Sequence, residues 1–230
     1  MKLEDIDVVI LCGGLATRLK GVVDDVPKVL VEINGKPFMD IMLENFKAQG
    51  FKRFIFCAGH KGEMIEEYCR NSKLDLTLSV AIEPSPLGTG GAIKNAASFI
   101  KSDPFIALNG DCFCRIPLQP LLNFHSDNKA LATLAVSKVK DNKDYGGITL
   151  ENNRIKDFSE KKQAQGISFA NVGLYCFNKE VLDLMPDGKF SIEYDFFPKL
   201  VDREFFGFIT QEEFLDIGTP ERLNRAQEEL

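Results

Sequence analysis

The chain has 230 residues, 44% of them hydrophobic, which is enough for a sizeable core and too apolar for a disordered chain. Its 28 Lys and Arg face 34 Asp and Glu, a net charge of −6, so nucleic-acid binding driven by a global positive field is excluded and any anion site must be local. The first seven residues are polar and acidic and no apolar run approaches a membrane span, so a soluble, cytoplasmic protein with no membrane partner is expected.

In chain order, Val8–Leu11 reads as a buried strand, Met39–Gln49 as an amphipathic helix and Phe54–Cys57 as a strand. Glu63–Cys69 follows as a helix, Leu76–Val80 as a strand, Gly90–Ile100 as a helix and Phe105–Leu108 as a strand, then a helix at Leu118–Phe124 and a strand at Leu131–Val136. This β-α alternation predicts an α/β fold, a Rossmann-like mixed and mostly parallel sheet with helices on both faces. After Val136 the rhythm changes. Gly147–Leu150, Arg154–Phe158 and Phe169–Phe177 are closely spaced strands, with a hairpin turn at Glu151-Asn152-Asn153. Lys179–Leu184 and Tyr194–Val201 read as short helices, Phe205–Ile209 and Phe214–Ile217 as strands, and Pro220–Leu230 as a closing helix. With no linker or repeat, a single domain over residues 1–230 is expected. Residues 137–230 are expected to extend the same sheet and to supply a lid.

The six cysteines permit disulfides, but Cys12, Cys57 and Cys176 sit in apolar strand contexts, and Cys112 and Cys114 have no partner pair at zinc spacing. Reduced thiols are expected. Of the two histidines, His125 is expected at the surface or in a capping role, and His60 in no catalytic role.

Three constellations carry chemistry. Leu11-Cys12-Gly13-Gly14-Leu15-Ala16-Thr17-Arg18-Leu19, followed by Pro27-Lys28, empties a strand into glycines and cations. Glycines bring main-chain N–H groups against a phosphate, and Arg18 and Lys28 supply positive charge. A plain strand-to-helix turn reads the same residues as well. Glu83-Pro84-Ser85-Pro86-Leu87-Gly88-Thr89-Gly90-Gly91-Ala92 sets three glycines at a helix start, where chain entropy costs stability; a ligand packed flat on the backbone is the favoured reason. The alternative is an ordinary loop with Thr89 as cap. Asn109-Gly110-Asp111 and Asp216-Ile217-Gly218-Thr219-Pro220 each set a carboxylate near a strand end, suited to a hard cation if the two converge and to a turn if not.

Together the strings GGLATRL, PK, EPSPLGTGGA, LNGD, EK, NVGLY and DIGTP, from Leu11 to Pro220, resemble the sugar-nucleotidyltransferase family. The details are most similar to its short guanylyltransferases, those acting on D-glycero-α-D-manno-heptose 1-phosphate. The resemblance implies the nucleotide-diphospho-sugar transferase fold, a reaction of GTP with a sugar 1-phosphate giving a nucleotide sugar and pyrophosphate, Mg2+ as cofactor, a place in surface polysaccharide biosynthesis, and a homodimer. It implies nucleotide contacts at Leu11, Gly13, Gly14, Arg18, Lys28, Glu83, Gly88, Thr89 and Asn109, and catalytic roles for Arg18, Lys28 and Lys161. Asp111 and Asp216 would hold Mg2+, Lys161 would bind the sugar phosphate, and Gly146, Glu160 and Asn171 would hold sugar hydroxyls, so that residues 1–136 would be the nucleotide-binding half and 137–230 the sugar-binding half. Glu193, in the acidic stretch Ser191-Ile192-Glu193-Tyr194-Asp195, reads as a further sugar contact or as part of a helix-start cap. Glu83 favours guanine, because a carboxylate only accepts hydrogen bonds and guanine offers N1–H and an amino group on one edge. The chain departs from the family pattern at Ala16, where glycine is usual, and at Lys162, where proline is common. Two rival readings stand beside this one: a uridylyltransferase or other hexose or amino-sugar 1-phosphate nucleotidyltransferase, and a non-catalytic nucleotide-binding regulator.

Overall fold

The structure is a computed structural model and describes residues 2–14, 25–139, 147–159, 168–212 and 214–230. Val8, Val9 and Ile10 are apolar on both faces of strand β1 (Asp7–Leu11) and fully buried, as a central strand covered on both sides requires. A two-stranded hairpin, β2 (Glu32–Ile33) and β3 (Lys36–Pro37), precedes helix α1 (Phe38–Ala48). Strand β4 (Arg53–Ala58), helix α2 (Gly62–Asn71), strand β5 (Thr77–Ile82), helix α3 (Gly88–Asn95) and strand β6 (Phe105–Asn109) continue the alternation. After β7 (Cys112–Cys114) and α4 (Leu118–Asp127) come β8 (Ala132–Val139), β9 (Gly147–Glu151), β10 (Arg154–Ser159) and β11 (Ser168–Phe177). Helix α5 (Val181–Leu184), a π-helical turn at Ile192–Phe196, α6 (Phe197–Leu200), β12 (Phe205–Thr210), β13 (Phe214–Asp216) and α7 (Pro220–Glu229) complete the order.

Nine strands form one mixed sheet in the order β5-β4-β1-β6-β11-β8-β12-β10-β9. Pairing is parallel from β5 through β4 and β1 to β6, and again between β8 and β12; the other neighbours in that order are antiparallel. The unbroken run of parallel pairing, β5-β4-β1-β6, thus belongs to the N-terminal half. Among the antiparallel pairs, β9 and β10 are joined by the two-residue turn Asn152-Asn153, which a hairpin allows and a crossover does not. Strand β13 pairs with β7 in a separate two-stranded ladder.

Helices cover both faces, as expected. Helix α1 buries Phe38, Met39, Met42, Leu43 and Phe46 at helical spacing, and Phe46 meets Phe51 and Phe54 edge-on. Ile65 of α2, Leu121 of α4 and Leu223 of α7 join the same core. The opposite face carries Ile93 of α3, Val181 of α5 and an aromatic cluster in which Tyr175, Phe177 and Phe205 pack around Phe197. Thr219 accepts a hydrogen bond from Arg222 N–H and Pro220 opens α7, the start its sequence predicts.

Two expectations are corrected. Helix α3 ends at Asn95, not Ile100. His125 is not at the surface; it is 1% exposed on the inner face of α4. Its Nε2–H donates to Asn178 Oδ1 at 3.0 Å, and its Nδ1 accepts from the Thr133 hydroxyl at 2.9 Å, which satisfies a neutral ring. Burial lowers its pKa, against smaller upward pulls from the Asn178 bond and Asp103. The unfolded chain therefore binds a proton that the folded chain refuses. The stability held in this ring is complete above about pH 6.5, the unfolded value, and drains away as pH falls towards the depressed folded value. Urea midpoints measured from about pH 7.5 down to about pH 5.5 will fall in the wild type. In His125→Gln that fall will be reduced, whatever the variant's absolute stability.

Candidate active site

Parallel register sets the ends of four strands level. Leu11 pairs with Cys57 and Asn109, and the ladders extend past the strands through Cys12 N–H to Cys57 O, Gly110 N–H to Leu11 O and Glu83 N–H to Ala58 O. Beyond these carboxyl ends lies a cleft of about 360 Å³, the position where open α/β sheets bind ligands. Leu11, Gly13, Gly14, Lys28, Glu83, Gly88, Thr89, Asn109 and Asp111 all line it, so the predicted nucleotide residues within the described chain converge. Arg18, Ala16, Gly146, Glu160, Lys161 and Lys162 lie outside the described residues.

Glu83 leaves β5 and crosses the end of β4 to reach β1. Its Oε2 accepts from Leu87 N–H at 2.9 Å, while a Cβ built at Gly13 would fall 2.2 Å from Oε1. Any side chain at position 13 displaces the carboxylate, so glycine there serves Glu83 as well as any ligand.

Lys28 opens a single 3-10 turn, Lys28–Leu30, and its Nζ lies 2.9 Å from Asp111 Oδ2. Asp111 follows β6, and its carbonyl accepts from Ile217 N–H at 3.0 Å. Asp216 pairs in register with Cys112, the neighbour of Asp111, so both predicted metal carboxylates flank one ladder. Asp216 does not line the cleft: its Oδ1 accepts from Gly218 N–H and its Oδ2 pairs with Arg222 at 2.5 Å. Both carboxylates act on Cys112, whose thiol is pushed up by burial first and then by the charges of Asp111 and Asp216. Among the described residues no group of three or more His, Cys, Asp or Glu gathers as a metal cage.

The predicted sugar residues Asn171 and Glu193 stand back from the cleft, joined to it by a hydrogen-bond chain the sequence did not disclose. A register shift in β11 between Asn171 and Tyr175 lets Asn171 Nδ2 donate to the Tyr175 hydroxyl at 2.9 Å. Tyr175 donates onward to Glu193 Oε1 at 3.4 Å, and Glu193 Oε2 accepts from Thr89 at 2.7 Å and Ser191 at 2.9 Å. Burial, and then the Glu193 charge, hold the tyrosine protonated and so a donor. The Thr89 hydroxyl, expected on the nucleotide, accepts from Ile192 N–H and donates to Glu193.

The glycine run of α3 has a different cause from the one expected. Gly88, Gly90 and Gly91 meet protein, not open space. The strap Asp187–Ser191 lies on them, with Phe190 O accepting from Gly90 and Gly91 N–H and Phe190 N–H donating to Leu87 O. A Cβ at Gly91 would sit 2.4 Å from Gly188 O, and one at Gly90 would enter the Phe190 ring. The strap also sets Lys189 on the cleft wall, a cation the sequence reading passed over because no motif marks it. The other lining residues it missed, Cys12, Val29, Pro86 and Ala92, are apolar wall. His60 is exposed on the turn before α2 and is not among the residues that line the cleft.

The family profile described as "Nucleotidyl transferase" matches residues 7–230. A D-glycero-alpha-D-manno-heptose 1-phosphate guanylyltransferase of Aneurinibacillus thermoaerophilus is 35% identical, covering 97% of this chain and 98% of its own. A protein of the same name from Campylobacter jejuni is 36% identical, over 93% of this chain and 95% of that one. The crystal structure of HddC from Yersinia pseudotuberculosis complexed with GMP-PN superposes with a TM-score of 0.85 at 36% identity, covering 97% of this chain and 99% of that one.

The strap geometry carries a prediction. Gly91→Ala gains about 1 kcal/mol of intrinsic helix propensity. Because it strikes a backbone carbonyl, it will nonetheless lower the urea-unfolding free energy, by about 1–3 kcal/mol. A more stable variant shows that the strap is not docked this way.

Proposed function

The chain belongs to the nucleotidyl transferase family and is a sugar-1-phosphate nucleotidyltransferase, and we propose that it makes a nucleotide sugar from GTP and D-glycero-α-D-manno-heptose 1-phosphate. A phosphate oxygen of the sugar 1-phosphate bonds to the α-phosphorus of GTP. The bond from that phosphorus to the bridging β-oxygen breaks, and pyrophosphate leaves with the electron pair. No proton moves, so no histidine is required. The protein's task is to hold two polyanions in line and to balance the charge gathering on the α-phosphate.

The observation that carries the base choice is Glu83 on the cleft wall, with one oxygen bound to Leu87 N–H and the other facing Gly13. A carboxylate of this kind accepts from guanine N1–H and its amino group, and offers uracil nothing to pair with its carbonyls. The sugar rests on the names of the relatives matched over nearly their full length. Mannose 1-phosphate is the second reading, since the mannose-1-phosphate guanylyltransferase of Mycobacterium tuberculosis is 33% identical over all of this chain and 66% of its own. Lys28 serves the phosphates, and Asn171 and Glu193 hold sugar hydroxyls through their shared network. Asp111 and Asp216 fit Mg2+ in donor type, two hard carboxylates at one end of the β7–β13 ladder that now pair with Lys28 and Arg222, and substrate phosphates would be needed to fill the shell. When bound, the ion neutralises phosphate charge. Nucleotide-sugar supply for surface polysaccharides in the cytoplasm is the setting that fits; among the described residues no helix is long and apolar enough to cross a membrane.

Pyrophosphate release with Mg2+ across a panel of nucleoside triphosphates and sugar 1-phosphates tests the reading. Release confined to GTP with the heptose 1-phosphate is expected, and preference for another pair overturns the assigned substrates. Asp111→Asn will cut turnover by about 100-fold or more while the far-ultraviolet circular dichroism stays unchanged; near-normal turnover removes Asp111 from the site. Glu83→Gln will narrow the GTP-over-UTP preference in kcat/KM by about tenfold or more. An unchanged ratio means that the base is read elsewhere.

A further inference from the structure

Four charged side chains line the cleft among the described residues: Lys28, Glu83, Asp111 and Lys189. Their charges cancel, yet the reaction gathers a nucleoside triphosphate and a sugar phosphate into this space. Lys28 is already held against Asp111 at 2.9 Å. Glu83 is tied to the main chain at Leu87. Lys189 alone of the four has neither an ion pair nor a hydrogen bond to another described residue, and its side chain is exposed to the solvent that a substrate displaces.

Its position is nonetheless fixed. Phe190, the next residue, is buried and bolted to the start of α3 by three backbone hydrogen bonds, and Gly188 O sits against Gly91 on its other side. Two residues further on, Ile192 N–H is bound to Thr89. A lysine root anchored on both sides above a cleft, with a flexible stem and no partner among the described residues, is suited to meet an anion that arrives. We propose that Lys189 binds a phosphoryl group of the reactants, entering the cleft from the α3 wall while Lys28 enters from the strand-end wall. The inference rests on the transfer reaction proposed above and adds to it a phosphate ligand that no sequence motif marks.

The test compares wild type, Lys189→Met and Lys189→Arg. Methionine keeps the stem and removes the charge, and the exposed site leaves the melting temperature unchanged. The expected result is a fall in kcat/KM of about 10- to 100-fold in the methionine variant, with most of it restored by arginine. A rise in KM for the sugar 1-phosphate alone assigns the contact to that phosphate. A rise in KM for the nucleotide alone, equal for GTP and UTP, assigns it to the triphosphate. A loss confined to GTP overturns the proposal, because phosphates are common to both nucleotides and a base contact is not. Kinetic constants within twofold of wild type in Lys189→Met overturn it as well. Calorimetric titrations of the same proteins with GTP and with the heptose 1-phosphate need no turnover. If wild type releases no pyrophosphate with any pair, the proposed reaction falls, while weaker binding of either ligand by Lys189→Met still upholds the phosphate contact and equal binding of both refutes it.

Discussion

The site depends on one constraint, the parallel register of β1 between β4 and β6. Val8, Val9 and Ile10 have no polar alternative to a buried central strand, and their pairing fixes where each neighbour ends. Asp7 secures the other end of the same strand. It is buried, bound to Arg53 at 2.8 Å, and accepts the Lys101 and Ser102 N–H groups ahead of β6. A one-residue slip would exchange the side chains between the two packed faces and carry Asn109 and Asp111 away from Gly13. The rigid ladder thus sets the spacing between the strand-end residues of the cleft.

The other wall is built differently. Helix α3, the strap and the π-helical turn hold each other through backbone bonds and hydroxyls, with Glu193 accepting from three separate side chains. This arrangement keeps a negative charge in place without an ion pair to another described residue, and it links the proposed sugar residues to the helix that borders the cleft. The link is mechanical as well as electrostatic: a shift of Glu193 must move Thr89, and a shift of Thr89 must move the Ile192 backbone.

Much of this was legible in the sequence, and the reasons differ by residue. Continuous apolar runs with turn residues between them marked the central strands, because a doubly covered strand admits few other residues. Gly13, Lys28, Glu83 and Asp111 could be singled out because bare backbone, cations and acceptors belong to a narrow set of residue types, and the four do line one cleft. The β2–β3 hairpin escaped notice although its turn, Asn34-Gly35, has positive φ at both residues and carries the usual signal; strands of two residues have no periodicity to read. His125 was misjudged because its burial depends on Thr133 and Asn178, partners distant in sequence that no local pattern discloses. The glycines of α3 were rightly singled out as requiring close approach, but whether a ligand or the chain itself makes that approach is decided by a strap about a hundred residues later. Tyr175 and Lys189 share that difficulty, since their meaning comes from what lies opposite.

All six cysteines are free thiols, and each is pushed up by burial, Cys69 and Cys114 to about 12. Two of them adjoin the place where phosphates would lie: Cys12 lines the cleft, and the Cys112 thiol donates to Asp111 Oδ1 at 3.5 Å. A thiolate at either position would repel the reactants and compete for the same cations. Kept protonated, these sulfurs act as small, polarisable apolar groups that thin the water around the carboxylates and sharpen every charge left exposed there.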